Sequence, residues 1–275
     1  MKNIPAVICD NDTLFRYYNQ LSESTVICTR IRLKPGEEHL LTDLAERGVT
    51  LIPSATAQLA SRSKVFQTRL FSDYMLPGTC AIYDRHTLLD TISLYREQQI
   101  KQVVLKRERK NSGLGIHLFS DIEDIYNQVT GRAFDFPFVV QPFKPDCRDV
   151  RVIILDDFLE AYERRNAHNF RNNLHCGGTS TPFTLSEKQI SFCRKVMERG
   201  RFSYAHLDLL LTRKGEYWLT EINLRGGLKG AKISGEVYRQ KIETIHQQLL
   251  ARQNLDKTKE GDTPTRDVSF LNSNQ

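Results

Sequence analysis

Apolar positions along this chain switch between short unbroken runs and helical spacing. Over the first sixty or so residues the two alternate. IPAVIC, STVICTRI and VTLIP read as strands, while DTLFRYYNQL and PGEEHLLTDLAERG carry the spacing of amphipathic helices, the second with Pro near its start and Gly at its end. Strands alternating with helices predict a small parallel sheet. One helix is expected over 57–75, ending at the turn signal Leu76-Pro77-Gly78, and another over 85–99. KQVVLK and LGIHLF read as strands around a polar, Gly-containing loop. The Ser120–Glu123 capping-box pattern opens the helix DIEDIYNQV. PFVVQPF and DVRVIIL are further strands, and 163–182 reads as a long polar loop. A second capping box, Thr184–Glu187, starts a helix running to Gly200. YAHLDLLLTRKGEYWLTEINL reads as a β-hairpin, GEVYRQKIETIHQQLLARQ as a closing helix, and the residues from 255 as a loose polar tail.

Composition narrows the class. The chain has 275 residues with 40% hydrophobic content, enough for a sizeable core. No apolar run approaches the roughly 20 residues of a membrane helix, and the first residues read as a strand, not a secretory leader, so a cytoplasmic location is expected. The six cysteines contain no Cys-x-x-Cys pair, which argues against a thiolate zinc site and for reduced, mostly buried thiols. A net charge of +6 suits either nucleic-acid phosphates or a small-molecule phosphate site. The basic residues concentrate in patterned segments, which favours the second.

Three segments carry chemistry. In the hairpin, taking Lys214 and Gly215 as the turn places Asp208 opposite Glu221, with Asn223 on the same face as Glu221. Opposed carboxylates repel unless a cation lies between them, and a hard divalent ion held by carboxylate and amide oxygens resolves the conflict. A solvated face with scattered acids is the alternative. In VVLKRERKNSGLGIHLF, Lys106 ends an apolar strand and is followed by Asn111, Ser112, Gly113 and Gly115. Such a loop brings backbone N–H groups close to phosphate oxygens. It is neither a Walker A loop nor a Rossmann fingerprint, and a plain hairpin turn remains open. The segment from Arg148 to Gly178 contains Arg148, Arg151, Arg164, Arg165 and Arg171, mixed with Asn172, Asn173 and a Gly-Gly pair. Guanidinium groups clamp phosphate or carboxylate in pairs of hydrogen bonds. No Ser-His-Asp order stands out, and Cys176 beside His175 is adjacency, not a dyad.

With these segments in hand, the chain resembles the RimK-like ATP-grasp ligases. The likeness is densest at LEAYERR…FRNNLHCGG and LDLLLTRKGEYWLTEIN, and the order of the motifs matches. The resemblance implies an α/β (α+β) ATP-grasp fold: a small N-terminal parallel α/β domain over 1–62, a lid or flap subdomain over 63–140, a larger C-terminal antiparallel-sheet subdomain over 141–254 and a tail over 255–275. It implies that Lys64, Lys106, Ser112, Gly113 and Gly115 hold nucleotide phosphates. Gln141, Pro142 and Phe143 form the adenine hinge, with Arg148 near the nucleoside. Asp208, Glu221 and Asn223 bind two Mg²⁺ ions, with Mn²⁺ as a substitute. Arg164, Arg171 and Asn173 face the γ-phosphate and an acyl-phosphate. The implied reaction joins a carboxylate to an amine at the expense of ATP, with an amino acid such as glutamate added to a peptide, protein or metabolite. A ligase for a non-amino-acid carboxylate and a non-catalytic nucleotide-binding regulator are the alternatives, and a homo-oligomer is left open. Two departures stand out: Pro142 occupies a hinge position that is usually acidic, and LRGGLKG after Asn223 adds Arg225 and Lys229 where Ser-Pro-Gly is usual.

Overall fold

The early apolar runs become β1 (Val7–Ile8), β2 (Val26–Cys28) and β3 (Thr50–Ile52), which pair in parallel in that order. The helices α1 (Asn11–Tyr17) and α2 (His39–Glu46) supply the crossovers, and Leu14, Ile27, Leu41 and Leu44 close a small core between them. The computed structural model describes residues 4–110 and 114–261. Asn111, Ser112 and Gly113, expected at the phosphates, lie outside the described residues, as does the chain beyond 261. The second helix starts later than its sequence pattern suggests. Gly36 sits at φ +93°, outside helical geometry, so Pro35-Gly36 form a turn and the helix begins at His39.

The helix expected over 57–75 is broken. α3 (Ala55–Ala60) ends, and Ser63, in extended backbone, caps a new helix, α4 (Lys64–Leu70), by accepting from Phe66 N at 3.1 Å. The break places Lys64 at the first position of a helix that also packs on the sheet strands beyond it.

β4 (Cys80–Ile82), β5 (Val103–Arg107), β6 (Ile116–Phe119) and β7 (Phe138–Pro142) form an antiparallel sheet in the order β4-β7-β5-β6. It is backed by α5 (Arg85–Glu97) and α6 (Ile122–Thr130) around Ile82, Leu88, Tyr95, Val103, Leu105 and Ile125. β7 crosses the boundary expected at 140, so this sheet is complete only at Pro142.

A second antiparallel sheet contains β8 (Arg148–Leu155), β9 (Phe158–Arg165), β10 (Thr179–Pro182), β11 (Tyr204–Leu211) and β12 (Tyr217–Asn223), in the order β10-β9-β8-β11-β12. The helices α7 (Glu187–Arg199) and α8 (Gly235–Gly261) pack on it. The stretch read as a polar loop over 163–182 thus holds the end of one strand and all of another. Charge on both faces hid the strand pattern: Glu163 pairs with Arg148 on one face and Arg164 with Asp149 on the other. α8 continues to Gly261, beyond the tail boundary expected at 255. Among the described residues no helix is long and apolar enough to cross a membrane. Cys28 and Cys193 are buried, whereas Cys9 is exposed and Cys80 and Cys147 are half-buried.

Candidate active site

A cavity of about 570 Å³ opens between the two antiparallel sheets and reaches the end of the parallel one. Its floor is one face of the five-stranded sheet. Cross-strand register places Glu221, Asp208, Arg151 and Tyr162 in one row, with Asp149 and Arg164 in the row beside it and Asn223 opposite His206 on the other side. Side chains two apart on a strand share a face, so this row structure gathers the charges. Alternation sends Arg148 to the opposite face, where its guanidinium donates to Glu163 (Nε–Oε2 2.8 Å) and lies over Phe183. Arg148, expected beside the nucleoside, also borders the cavity.

The hairpin register has a two-part origin. Lys214-Gly215 is not a two-residue turn. Thr212 N donates to Glu216 O (2.9 Å) and Gly215 N to Thr212 O (3.1 Å), giving a longer loop with Gly215 at φ +84°. Leu210 therefore faces Trp218, one residue off the expected pairing. A β-bulge at Thr220 then shifts the register again, and Asp208 faces Glu221 after all. The bulge serves the site: Thr220 Oγ1 bonds Asp208 O at 3.0 Å, and the Thr220 carbonyl accepts from Lys106 Nζ at 3.2 Å.

Asp208 is held by two guanidinium groups. Arg151 binds it with both arms (Nε–Oδ1 2.7 Å, Nη2–Oδ2 2.8 Å), and Arg164 Nη2 approaches Oδ2 at 3.0 Å while its Nε donates to Asp149 at 3.1 Å. Burial alone would raise the pKa of Asp208, but Arg151 and Arg164 outweigh it and hold the carboxyl well below the usual range. The same partner raises Arg151 against its own burial. Asp208 and Arg164, expected at a metal and at a phosphate, both line the cavity, where they pair with each other and with Arg151 and Asp149.

Glu221 and Asn223 remain. They share one face of β12, and Glu221 Oε1 lies 3.3 Å from Lys64 Nζ. Asn223 borders the cavity, and its side-chain amide has no hydrogen bond among the described residues. A carboxylate and an amide oxygen on one strand face fit a magnesium ion that takes its other ligands from phosphates and water. Among the described residues no three His, Cys, Asp or Glu side chains converge as a metal cluster.

Lys64 and Lys106 enter from the opposite wall. Lys64 Nζ also donates to Lys110 O at 2.9 Å, and Glu108 accepts from the backbone N of Lys64 and Val65 at 2.8 and 3.2 Å, tying the flap to the start of α4. Burial, reinforced by Lys64, pushes Lys106 down to about 8 despite Glu221, Asp208 and Asp149. Counting Lys64, Lys106, Arg151 and Arg164 against Asp149, Asp208 and Glu221 leaves this centre with excess positive charge, which favours an anionic ligand.

The remaining expected positions separate. Gln141, Pro142 and Phe143 border the cavity, but Pro142 has no N–H and Phe143 N already donates to Gln102 O at 2.9 Å. The hinge therefore has no free backbone donor at Pro142 or Phe143. Gly115 is required by packing: a Cβ there would stand 2.3 Å from the Lys110 Cβ. Arg171 reaches across to the Ile116 carbonyl of β6 and stacks on Phe170, bridging the Arg/Asn loop to the flap strand. Asn173 lines the cavity. Arg151 was read only as one of five clustered arginines, and Asp149 was not singled out. The signal was available, since two charges two apart in the otherwise apolar DVRVIIL mark a strand face turned toward something polar.

A family model described as the RimK-like ATP-grasp domain matches residues 68–254. The chain is 30% identical over 177 residues to a protein named glutathione synthetase from Agrobacterium fabrum, covering 60% of this chain and 51% of that one. It is 28% identical over 190 residues to a probable alpha-L-glutamate ligase from Cellvibrio japonicus, covering 66% and 62%. It spans about half the length of the glutathione synthetases it matches. The D-alanine-D-alanine ligase structure from Coxiella burnetii superposes with a TM-score of 0.58 at 13% identity, covering 86% of this chain and 73% of that one.

Proposed function

This chain belongs to the RimK-like ATP-grasp family and has the ATP-grasp fold, and from that premise we propose that it is an ADP-forming ligase joining a carboxylate to an amine through an acyl-phosphate. The observation that carries the reading is the convergence, in one cavity, of Lys64 and Lys106 with Glu221 and Asn223. Lysines on one wall bind phosphate oxygens, and the acid–amide pair on the other would hold magnesium beside them. The bound metal would offset phosphate charge as it develops during transfer.

The chain's own residues supply positioning. Lys64, at the start of α4, and Lys106, braced on the Thr220 carbonyl, sit where the triphosphate would lie. The Gln141–Phe143 segment borders the cavity and would form the adenine hinge. The Arg151–Asp208–Arg164 network fixes the floor, so the side chains above it do not reorganise at the moment of transfer. Arg171 couples the flap strand to the Arg/Asn loop, so flap closure and substrate loop placement move together. An amino acid such as glutamate is the proposed addition, to a peptide, protein or metabolite.

The test is Mg²⁺-dependent ADP release screened against amino acids, dicarboxylates and short peptides, with product mass read for each active pair. The expected product weighs the sum of its two substrates less one water. ADP release that needs neither a carboxylate nor an amine would overturn the ligase reading.

Lys106 gives a second, pH-resolved expectation. In the free protein it loses its proton near pH 8. Phosphate oxygens favour the charged form, so nucleotide binding at pH 8.5 takes up a proton at this site. Affinity for Mg·ADP therefore falls as pH rises from 7 to 9. Calorimetry in buffers of differing ionisation enthalpy is expected to show uptake of at most about three quarters of a proton at pH 8.5, and little at pH 6.5. Proton uptake unchanged in Lys106→Met would remove Lys106 from the phosphate site.

A further inference from the structure

The far end of the cavity, away from the lysines, presents a second cationic centre. Arg30 and Arg225 both line it. Neither guanidinium pairs with a carboxylate among the described residues, whereas Lys64, Arg151 and Arg164 at the other end do. Arg30 is half-buried, and burial, followed by the charge of Arg225, pushes its guanidinium down. Beside Arg225, Tyr238 donates to the Leu224 carbonyl, and its hydroxyl lies 3.0 Å from His206 Nε2. Arg225 is exposed, and two guanidinium groups without carboxylate partners bordering one cavity favour an anion there.

Both arginines are presented by braced backbone. Arg30 stands just past the carboxyl end of β2, the central strand of the parallel sheet, where open parallel sheets receive ligands. Its loop is pinned on every side: Asn11 Nδ2 donates to Arg30 O (3.3 Å), Asn11 Oδ1 accepts from Arg32 N (2.7 Å), the buried Gln58 Oε1 accepts from Ile31 N (2.8 Å) and Arg62 donates to Ile31 O. Arg225 follows Leu224, whose N donates to Ser61 Oγ at 3.0 Å and whose carbonyl accepts from Tyr238 at 3.5 Å. Gly226 beside it packs so closely on His206 that a Cβ would lie 2.5 Å from Nδ1. Four side-chain contacts spent on one short loop, and a glycine forced by a ring, are the marks of a preorganised site.

We propose that Arg30 and Arg225 seat an oxyanion of the non-nucleotide substrate, so that the molecule joined carries a second carboxylate or a phosphate besides its reacting group. The inference rests on the ligase reading for what the anion belongs to, but the anion site itself is tested separately. Arg30→Gln, Arg225→Gln and wild-type protein are saturated with magnesium and a non-hydrolysable ATP analogue, which fills the γ-phosphate position. Each is then titrated with glutarate and with orthophosphate at constant ionic strength. Wild type is expected to bind one of the two probes, and each variant to lose about tenfold or more in affinity, the scale of a charged hydrogen bond. Binding of the nucleotide analogue is expected to be unchanged, which also reports that the variants are folded. Lys195→Gln, an exposed position on α7, controls for loss of charge alone and is expected to bind like wild type. Glutarate binding identifies a carboxylate substrate, orthophosphate binding a phosphorylated one. Binding of neither probe to wild type, or equal binding to all four proteins, overturns the proposal. Failure of the nucleotide analogue to bind wild type would sink the ligase reading instead.

Discussion

Glu221→Gln is expected to reduce Mg²⁺-dependent ADP release by about a thousandfold or more, the scale seen when a preorganised charge contact to a transition state is removed. Asn223→Ala is expected to follow it. Both side chains share one face of β12, and neither is needed to hold the strand, since Leu219, Ile222 and Leu224 do that from the core side. The fold should therefore survive, with far-UV circular dichroism and melting temperature close to wild type. The nucleotide should also still bind. Glu221 lies 3.3 Å from Lys64, so its neutral replacement frees a cation for phosphate. Metal-free ADP affinity is expected to hold or rise while turnover and its magnesium dependence are lost. Undiminished ADP release in both variants would falsify the metal assignment.

Arg151→Met is expected to produce the largest loss of stability, about 3 kcal/mol, because it leaves the nearly buried Asp208 carboxylate with only Arg164 to balance it. In a protein of this size that corresponds to a melting temperature lower by about 6–12 °C at pH 7. The pH dependence has a fixed sign. Asp208 is depressed in the folded state, so its contribution is complete above its unfolded value, near 4, and fades as pH falls below that. The gap between wild type and Arg151→Met should narrow as pH is lowered from 5 toward 3. Thermal unfolding of the two proteins across that range measures it. A gap that stays constant would mean that the Arg151 contacts contribute packing and not charge.

Particular residues show how far the chain could be read without coordinates. Lys106 was legible because an apolar run ends on it. Glu221 and Asn223 were legible because strand alternation fixes their common face whatever the turn does. The Asp208–Glu221 pairing was reached through an incorrect turn, and the bulge at Thr220 restored it. The strand Phe158–Arg165 was missed because alternation fails as a signal when both faces of a strand meet charge: Glu163 pairs with Arg148 on one side and Arg164 with Asp149 and Asp208 on the other.

The sequence alone determined the mixed α/β elements and the ordered set of chemical segments, which rest on local periodicity and on residue types at short spacing, and those segments carried the resemblance to the family. Tertiary structure alone decided which charges are spent on one another. Arg151 reaches Asp208 across 57 positions of the chain, Lys64 is bound to the backbone of Lys110 across 46, and Arg30 and Arg225 border one cavity only in the folded chain. A charge's role depends on what neutralises it at a few ångströms, and that distance is set by strand order and register, which no local pattern encodes.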